Sequence, residues 1–496
     1  MKRNIVRYTA GLLMITGLIS VSSCKKILDL QPHNSTFTNA YFTNGTDANT
    51  AIAGAYALLR SVLLNNYSFH VYGDATTSEF SINSGFDDAN YNISNGEFTG
   101  LNVGPGIWNW LNYYQLLQQI NLIINKVPGI PINKFSNQDD KNQIIGEAYY
   151  LRAFTYFYMT RVWGDVPLKL QPDLDVSQAV NIPRTPAADV LKQCLADLKI
   201  AESNLVFGYA DESQRAVRAN KGSAFALEAH ITAWTHDYAA CEQATAQVIN
   251  NGQYHLVTDT SQFSKIFIGK SVEGIFEINI DYQQSEGISL NNPYQSGYAP
   301  TIAYPFVAQK SNLEWPVSTL YVNTLFKDTT DLRYKKYFFQ AQSTSGQTIK
   351  YSNITYADGS AKNDPRLSNN IIIFRLADIM LLRAEALNQL GRDGEALTLL
   401  NTIRSRAGIA NYTGAGNALA RTILEERLRE LFYEGQSFYD LVRTKQIGNS
   451  SSSFISDYSH INDTRVNLGG NLWPIDPTMF KDDFVLKQTP YWQGKL

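Results

Sequence analysis

The chain has 496 residues, a net charge of −3 and a pI near 6.1, so it carries no basic footprint for nucleic acid. Its three Cys are too scattered for a disulfide framework, and no Cys-x-x-Cys or His cluster offers a metal site. The distinctive number is aromatic: with 29 Tyr, 24 Phe and 7 Trp, the chain can fill a large core and still leave rings exposed as a binding surface.

The first predicted element is a secretory signal, residues 1–23. Lys2, Arg3 and Arg7 give a basic start, and the apolar run over residues 8–21 is too short to span a bilayer. Val21-Ser22-Ser23-Cys24 resembles a bacterial lipobox, so Cys24 is expected to be the lipidated first residue of the mature chain. More than one acyl chain makes such an anchor stable. Residues 25–44 are polar and without period. A helix is predicted over 48–64 from Ala51, Ala55, Leu58, Leu59 and Val62.

Residues 67–106 are rich in Asn, Ser, Gly, Asp and aromatics, and are long for a loop. Helical spacing returns over 108–127 and 139–163, the second stopped by Gly164-Asp165-Val166-Pro167. Thr185-Pro186 starts a helix over 187–205. Two more follow, over 217–235 and 237–250. Ile275 to Ile280 alternates like a strand, and a Gly/Asn/Pro/Tyr-rich stretch runs over 282–321. Helices are predicted again over 376–390, 393–406 and 418–444, before a Pro-studded tail.

One internal repeat is visible. Ala229, Cys241 and Val248 stand twelve and seven residues apart, as do Ala384, Ala396 and Ile403. Small residues so spaced let two antiparallel helices approach, which is tetratricopeptide-like packing. It gives Cys241 a packing role.

Phosphate-binding Gly-rich loops, a Gly-x-Ser-x-Gly elbow and His-Glu-x-x-His are all missing from the sequence. Asp88-x-Asn90-x-Asn92 opens like a calcium loop, but Ile93 stands where Gly is needed and Thr99 where Glu is needed. No cofactor or metal is therefore expected. Glu426, Arg427, Arg429 and Glu430 read as a solvated charged helix face with salt bridges between turns.

Several stretches together resemble one family. Cys24-Lys-Lys-Ile-Leu-Asp29 with Pro32 is similar to the mature start of SusD/RagB lipoproteins of Bacteroidetes. Gly146-Glu-Ala-Tyr-Tyr-Leu-Arg-Ala153 through Leu168 resembles that family's first long helix and its exit. Phe374-Arg-Leu-Ala-Asp378 into Asn388, Asn401-Thr-Ile-Arg-Ser-Arg-Ala-Gly408, and Glu426 through Arg443 resemble its C-terminal signatures. Trp473-Pro-Ile475 and Gln488-x-Pro490 match its ending. Lys445-Gln446 and Asp476 depart from the family pattern.

The resemblance implies a mainly α, SusD-like fold: about four tetratricopeptide-like helix pairs plus loop-rich inserts containing short strands. It divides the mature chain into a helical region, 24–270, with a ligand-loop insert at 67–107, and a C-terminal region, 271–496, with an insert at 280–370. It implies a non-enzymatic, lipid-anchored protein of the outer-membrane surface. Its partners would be a glycan, or in some members a peptide, and a SusC-like TonB-dependent transporter. The membrane would be met through the lipid anchor only. A tetratricopeptide-type assembly lipoprotein and a surface polysaccharide-degrading enzyme are the competing readings.

Sugars present apolar ring faces and many hydroxyls, so their site wants flat aromatics with amides or carboxylates nearby. The inserts supply Asp74, Phe86, Tyr91, Asn92, Trp110, Tyr294, Tyr298, Tyr304 and Trp315 as candidate ligand contacts. Family members differ in these inserts, so the resemblance transfers the region and not the residues.

Overall fold

The computed structural model describes residues 41–64, 68–98, 107–209, 211–281, 286, 288–289, 299–308, 310–356, 363–447, 461–481 and 483–496. The signal 1–23, Cys24, Tyr294 and Tyr298 lie outside them. Asn44–Pro172 and Asn181–Leu496 form one compact unit, so the regions on either side of residue 270 share a body. The described part of a second, small unit, residues 41–43 and 173–180, holds the short 3-10 turn Val176–Gln178.

Helical periodicity becomes helices close to the expected bounds. They are α1 Gly45–Leu64, α2 Leu111–Lys126, α3 Gln138–Trp163, α4 Ala187–Asn204, α5 Lys221–Trp234 and α6 Tyr238–Asn250. After the loop-rich stretch come α7 Leu376–Gln389, α8 Asp393–Arg406, α9 Gly416–Glu430 and α10 Ser437–Arg443. The pairs α1/α2, α3/α4, α5/α6 and α7/α8 pack as units, and α2/α3, α4/α5 and α6/α7 join them into an array. α3 is its spine. Asn137 caps it by accepting the Asp140 N–H at 2.8 Å, and Gly164, at φ 74°, ends it. Every residue from Tyr150 to Trp163 is buried. Arg152 ties it to α4 with two bonds of 2.7 Å to Asp197.

The repeat noted above forms the seams. Ala229, Cys241, Val248, Ala384, Ala396 and Ile403 are all fully buried. Ala229 and Cys241 share one cluster with Ala233, Ala244, Leu382 and Ala386, so the seam of α5/α6 runs into α7. Burial pushes the Cys241 thiol up to about 12, which suits a packing residue better than a nucleophile.

Three expectations change. The 418–444 helix is broken: Tyr433 (φ 57°) and Gly435 (φ 70°) turn the chain between α9 and α10. The Gly435 N–H donates to the Asp74 carboxylate at 3.0 Å, and a Cβ there would run into the Phe69 ring. The charged face of α9 is not solvated. Glu426, Arg427, Arg429 and Glu430 are buried, and most of their partners come from other segments. Arg375 reaches Glu273 (2.7 Å), Glu430 (2.8 Å) and Glu434 (2.7 Å), while Arg333 reaches Asp331, Glu426 and Glu430. Arg427 pairs with Asp378 and Asp440. The only pair between neighbouring turns inside this group is Arg429–Glu426, at 2.8 Å.

The third change concerns the strand. β1, Gly274–Ile278, pairs antiparallel with β2, Ile371–Arg375, but all five residues of each are buried, so neither strand has a wet face. Phe276 packs edge-on against Tyr150 and Phe154. Glu277 is enclosed with it. One of its oxygens accepts the Lys270 N–H and the Asn370 amide, both at 2.8 Å. Burial raises this carboxyl to about 7. The folded state thus holds the proton more tightly than the unfolded chain, whose value is near 4.5. Stability is lost as pH rises from about 4.5 through 7, by up to roughly 3 kcal/mol. Glu277→Gln is expected to remove that loss. Urea unfolding at pH 5 and pH 8 should show the variant gaining on the wild type at pH 8; a gain at pH 5 alone would contradict the assignment.

Candidate ligand-binding surface

Two loop-rich segments meet by strand-like pairing. The Phe80 backbone bridges Val317, the Ser81 N–H donates to Pro316 C=O at 2.8 Å, and the Asn83 N–H to Glu314 C=O at 3.1 Å. The Ser318 N–H closes the ladder on Glu79 C=O at 2.9 Å. The expected inserts therefore meet along one short ladder, although more than two hundred residues separate them.

Beneath that surface the first segment is bolted to the α9–α10 turn. Asp74 accepts from the Gly435 N–H and shares a hydrogen bond of 2.7 Å with His70 Nδ1. Glu79 accepts from the Tyr433 N–H at 3.2 Å and from Ser437 Oγ at 2.5 Å. Burial pushes both carboxyls well up and His70 well down. Phe80 packs on Trp315, Phe432 and Tyr433, with centroids 4.8–5.7 Å apart.

Above it the loops are braced. Asp87 does two jobs. Its carboxylate accepts the Trp315 Nε1–H at 2.9 Å, and it caps the short helix Asp88–Ser94 through the Asn90 N–H (3.2 Å) and side-chain amide (2.7 Å). Phe86 stands just before that helix and Tyr91 on its first turn. On the other segment the Tyr304 N–H donates to Lys310 C=O at 2.8 Å, and Gln347 Nε2 donates to Tyr304 C=O at 2.9 Å. Gln347 also accepts the Ala303 N–H at 2.7 Å. The backbones are held, yet the side chains are bare: Tyr304 is 71% exposed, Phe86 55% and Tyr91 40%.

The candidate residues thus separate. Phe86, Tyr91 and Tyr304 face solvent, with Asn92 half-buried beside Tyr91. Asp74, Trp110 and Trp315 are taken up by the fold and present no surface to a ligand. Asp74 is spent on Gly435 and His70. Trp110 lies edge-on to Trp163 (5.8 Å), and Trp315 is a plug under the loops. The Asp88-x-Asn90-x-Asn92 segment folds as helix with Asn90 buried, which is not the geometry of a calcium loop. Two bracing residues, Asp87 and Gln347, stand outside the candidate contacts read from the sequence. Asp87 had a signal, an Asp one turn ahead of Asn90 at a helix start; Gln347 had none.

Asp87→Ala is expected to lower unfolding stability by about 1–2 kcal/mol, from the lost cap and the lost Trp315 bond. Because it frees the segment carrying Phe86 and Tyr91, it should also weaken ligand binding, whereas Asp87→Asn should retain part of both. Denaturant titration and calorimetry on the two variants check this.

A helix-pair array presenting braced but uncovered aromatic rings on paired loops is the build of a binding protein. Residues 274–492 match the SusD family, and residues 26–233 match a family described as starch-binding associating with outer membrane. SusD-like protein P38 of Formosa agariphila is 28% identical over 472 residues, which span 88% of this chain and 90% of that protein. The crystal structure of a SusD homolog from Bacteroides thetaiotaomicron superposes with a TM-score of 0.79 at 28% identity, covering 91% of this chain and 99% of the other. A SusD superfamily structure from the same species gives 0.76 at 26% identity, with coverage of 91% and 99%. The chain belongs to the SusD/RagB family. At the level of that family, its members are glycan-binding proteins of nutrient uptake and not enzymes. No helix among the described residues is long and apolar enough to cross a membrane.

Proposed function

We propose that this protein is a surface lipoprotein of the outer membrane that captures a glycan and delivers it to a SusC-like TonB-dependent transporter. The observation that carries the capture step is the trio Phe86, Tyr91 and Tyr304, exposed on backbones pinned where two segments pair. Exposed aromatic faces on a rigid frame offer stacking area at little entropic cost. Asn92 supplies an amide for sugar hydroxyls, and Tyr294 and Tyr298, from the second insert, are proposed as further contacts. Cys24 would carry the acyl chains and hold this surface beside the transporter, raising the local concentration of each for the other. The helix pairs would form the docking face.

Affinity electrophoresis and calorimetry of the purified protein against glycans and peptides, with product analysis, test the capture step. Retention by a glycan without products is the expected result. Turnover of the glycan, or binding of peptides alone, would sink the proposal. Co-purification of a plugged β-barrel tests delivery. Cys24→Ala is expected to release the protein from the membrane fraction; continued residence there would refute the anchor.

A further inference from the structure

A hairpin further along the chain from Tyr304 carries a second pocket. Its strands are Phe338–Phe339 and Gln347–Thr348. The turn between them is closed by the Ser343 N–H on Gln340 C=O at 2.8 Å and the Gly346 N–H on Ser343 C=O at 3.0 Å. The hairpin adjoins the candidate surface in two places. The Val317 N–H donates to Gly346 C=O at 2.8 Å. Phe339, which pairs with the Gln347 that holds Tyr304, packs edge-on against Phe306 with centroids 5.0 Å apart. The short helix Leu332–Tyr337 runs into the hairpin, and the two line an open pocket of about 530 Å³, within the range of small-ligand sites. Phe338 is buried there, Tyr334 and Phe339 are half-buried, and Lys335 and Gln340 are exposed.

Three polar groups of this pocket have no partner among the described residues: the Lys335 ammonium, the Gln340 amide and the Tyr334 hydroxyl. Gln340 also stands at φ 51°, where glycine would fit without cost, yet a side chain is kept. None of the described lining residues is acidic. The acids nearest along the chain are engaged elsewhere: Asp331 pairs with Arg333 at 2.8 Å, and Asp328 accepts the Thr330 N–H at 2.9 Å and its hydroxyl at 2.6 Å. Resting on the glycan-capture reading above, we infer that this pocket is a second subsite, which takes a sugar ring bearing a carboxylate or sulfate. Tyr334 and Phe339 offer ring area to the C–H face of the sugar. The Gln340 amide and the Tyr334 hydroxyl serve its hydroxyls, and Lys335 gives its acid group a charge-assisted bond in place of water. Phe306 stands two residues beyond Tyr304, so one chain crossing that ring can extend into the pocket.

The test is calorimetry of the purified protein with oligogalacturonate, alginate and sulfated galactan oligomers, each set against its own neutralised form, the methyl ester or the desulfated chain. At low salt at least one acidic chain is expected to bind roughly fivefold or more tightly than its neutral form, and carboxylate or sulfate is assigned by which pair shows the gap. High salt should narrow the gap, since screening acts only between charges. Lys335→Gln should close most of it while changing the affinity of the neutral chain less than about twofold. Lys336→Gln, on the same short helix but outside the pocket lining, should leave it. Neutral forms binding as tightly as their parents in all three pairs would overturn the inference while leaving glycan capture standing. So would a gap that survives Lys335→Gln. Binding of peptides with no glycan on the panel would overturn the glycan reading itself.

Discussion

Arg375→Met is expected to cost about 3–5 kcal/mol of unfolding stability, because it takes one cation and its charged hydrogen bonds from three buried carboxylates at once. Stability of that order is a large share of what a folded protein has. Arg375 is fully buried and uses its whole guanidinium: Nε and Nη2 hold Glu434, Nη1 holds Glu273 and Glu430, and Nη2 also reaches Glu430 C=O at 2.8 Å. Arg406 and Lys350 serve some of the same acids, through Glu273 and Glu430 and through Glu434 respectively. They cannot move to fill the gap, since Lys350 also donates to Phe432 C=O at 2.7 Å. Arg375→Lys should rescue little, because an ammonium cannot reproduce the planar fork. The exposed pair Arg392–Glu395 is the control: Arg392→Ala should leave the unfolding midpoint where it was. Chemical unfolding of the three variants is the measurement, and near-wild-type stability of Arg375→Met would mean that the network is dispensable.

The same network sets the acid limit. Burial alone would raise Glu426, but Arg333 and Arg429 outweigh it and hold the carboxyl at about 2; Glu430 is held well down against burial by Arg406, Arg375 and Arg333. Carboxyls depressed in the folded state add stability that is complete above the unfolded value, near 4.5, and disappears as pH falls toward the folded one. This contribution therefore fades between about pH 4.5 and 2, the opposite sense to that of Glu277.

How far the sequence reached depended on distance along the chain. The helices were legible because their apolar residues repeat within one turn of each other, and the Ala229–Cys241 and Ala384–Ala396 seams because each spans a single helix pair. The α9 acids misled because their period is that of a surface face, while their partners Arg333 and Arg375 lie fifty or more residues away. Burial of Asp74 was illegible for the same reason, its partner being Gly435. Trp110 and Trp315 were weighed by local composition, which cannot say that Trp163 or Asp87 will cover them. Phe86 and Tyr91 were readable because their own neighbours are polar and leave a ring nothing to pack on.

Tyr304→Ala and Phe86→Ala should each weaken ligand binding by about 1–2 kcal/mol, roughly five- to thirtyfold, while leaving the unfolding midpoint unchanged. The separation of the two readouts follows from where the rings stand. Tyr304 is mostly solvated, and its backbone bonds to Lys310 and Gln347 use no side-chain atom, so alanine keeps the loop. Trp110→Ala must do the reverse: its ring is buried against Trp163, and removing it should cost about 3–5 kcal/mol of stability, reaching the surface only through unfolding. The double variant Phe86→Ala/Tyr304→Ala decides whether the rings act together. If one glycan bridges both segments, losing either ring already slackens its grip on the other, and the double loss falls short of the sum of the two. Additive losses would mean independent contacts. A Tyr304→Ala protein that melts early but binds normally would assign the ring to the fold and move the site elsewhere.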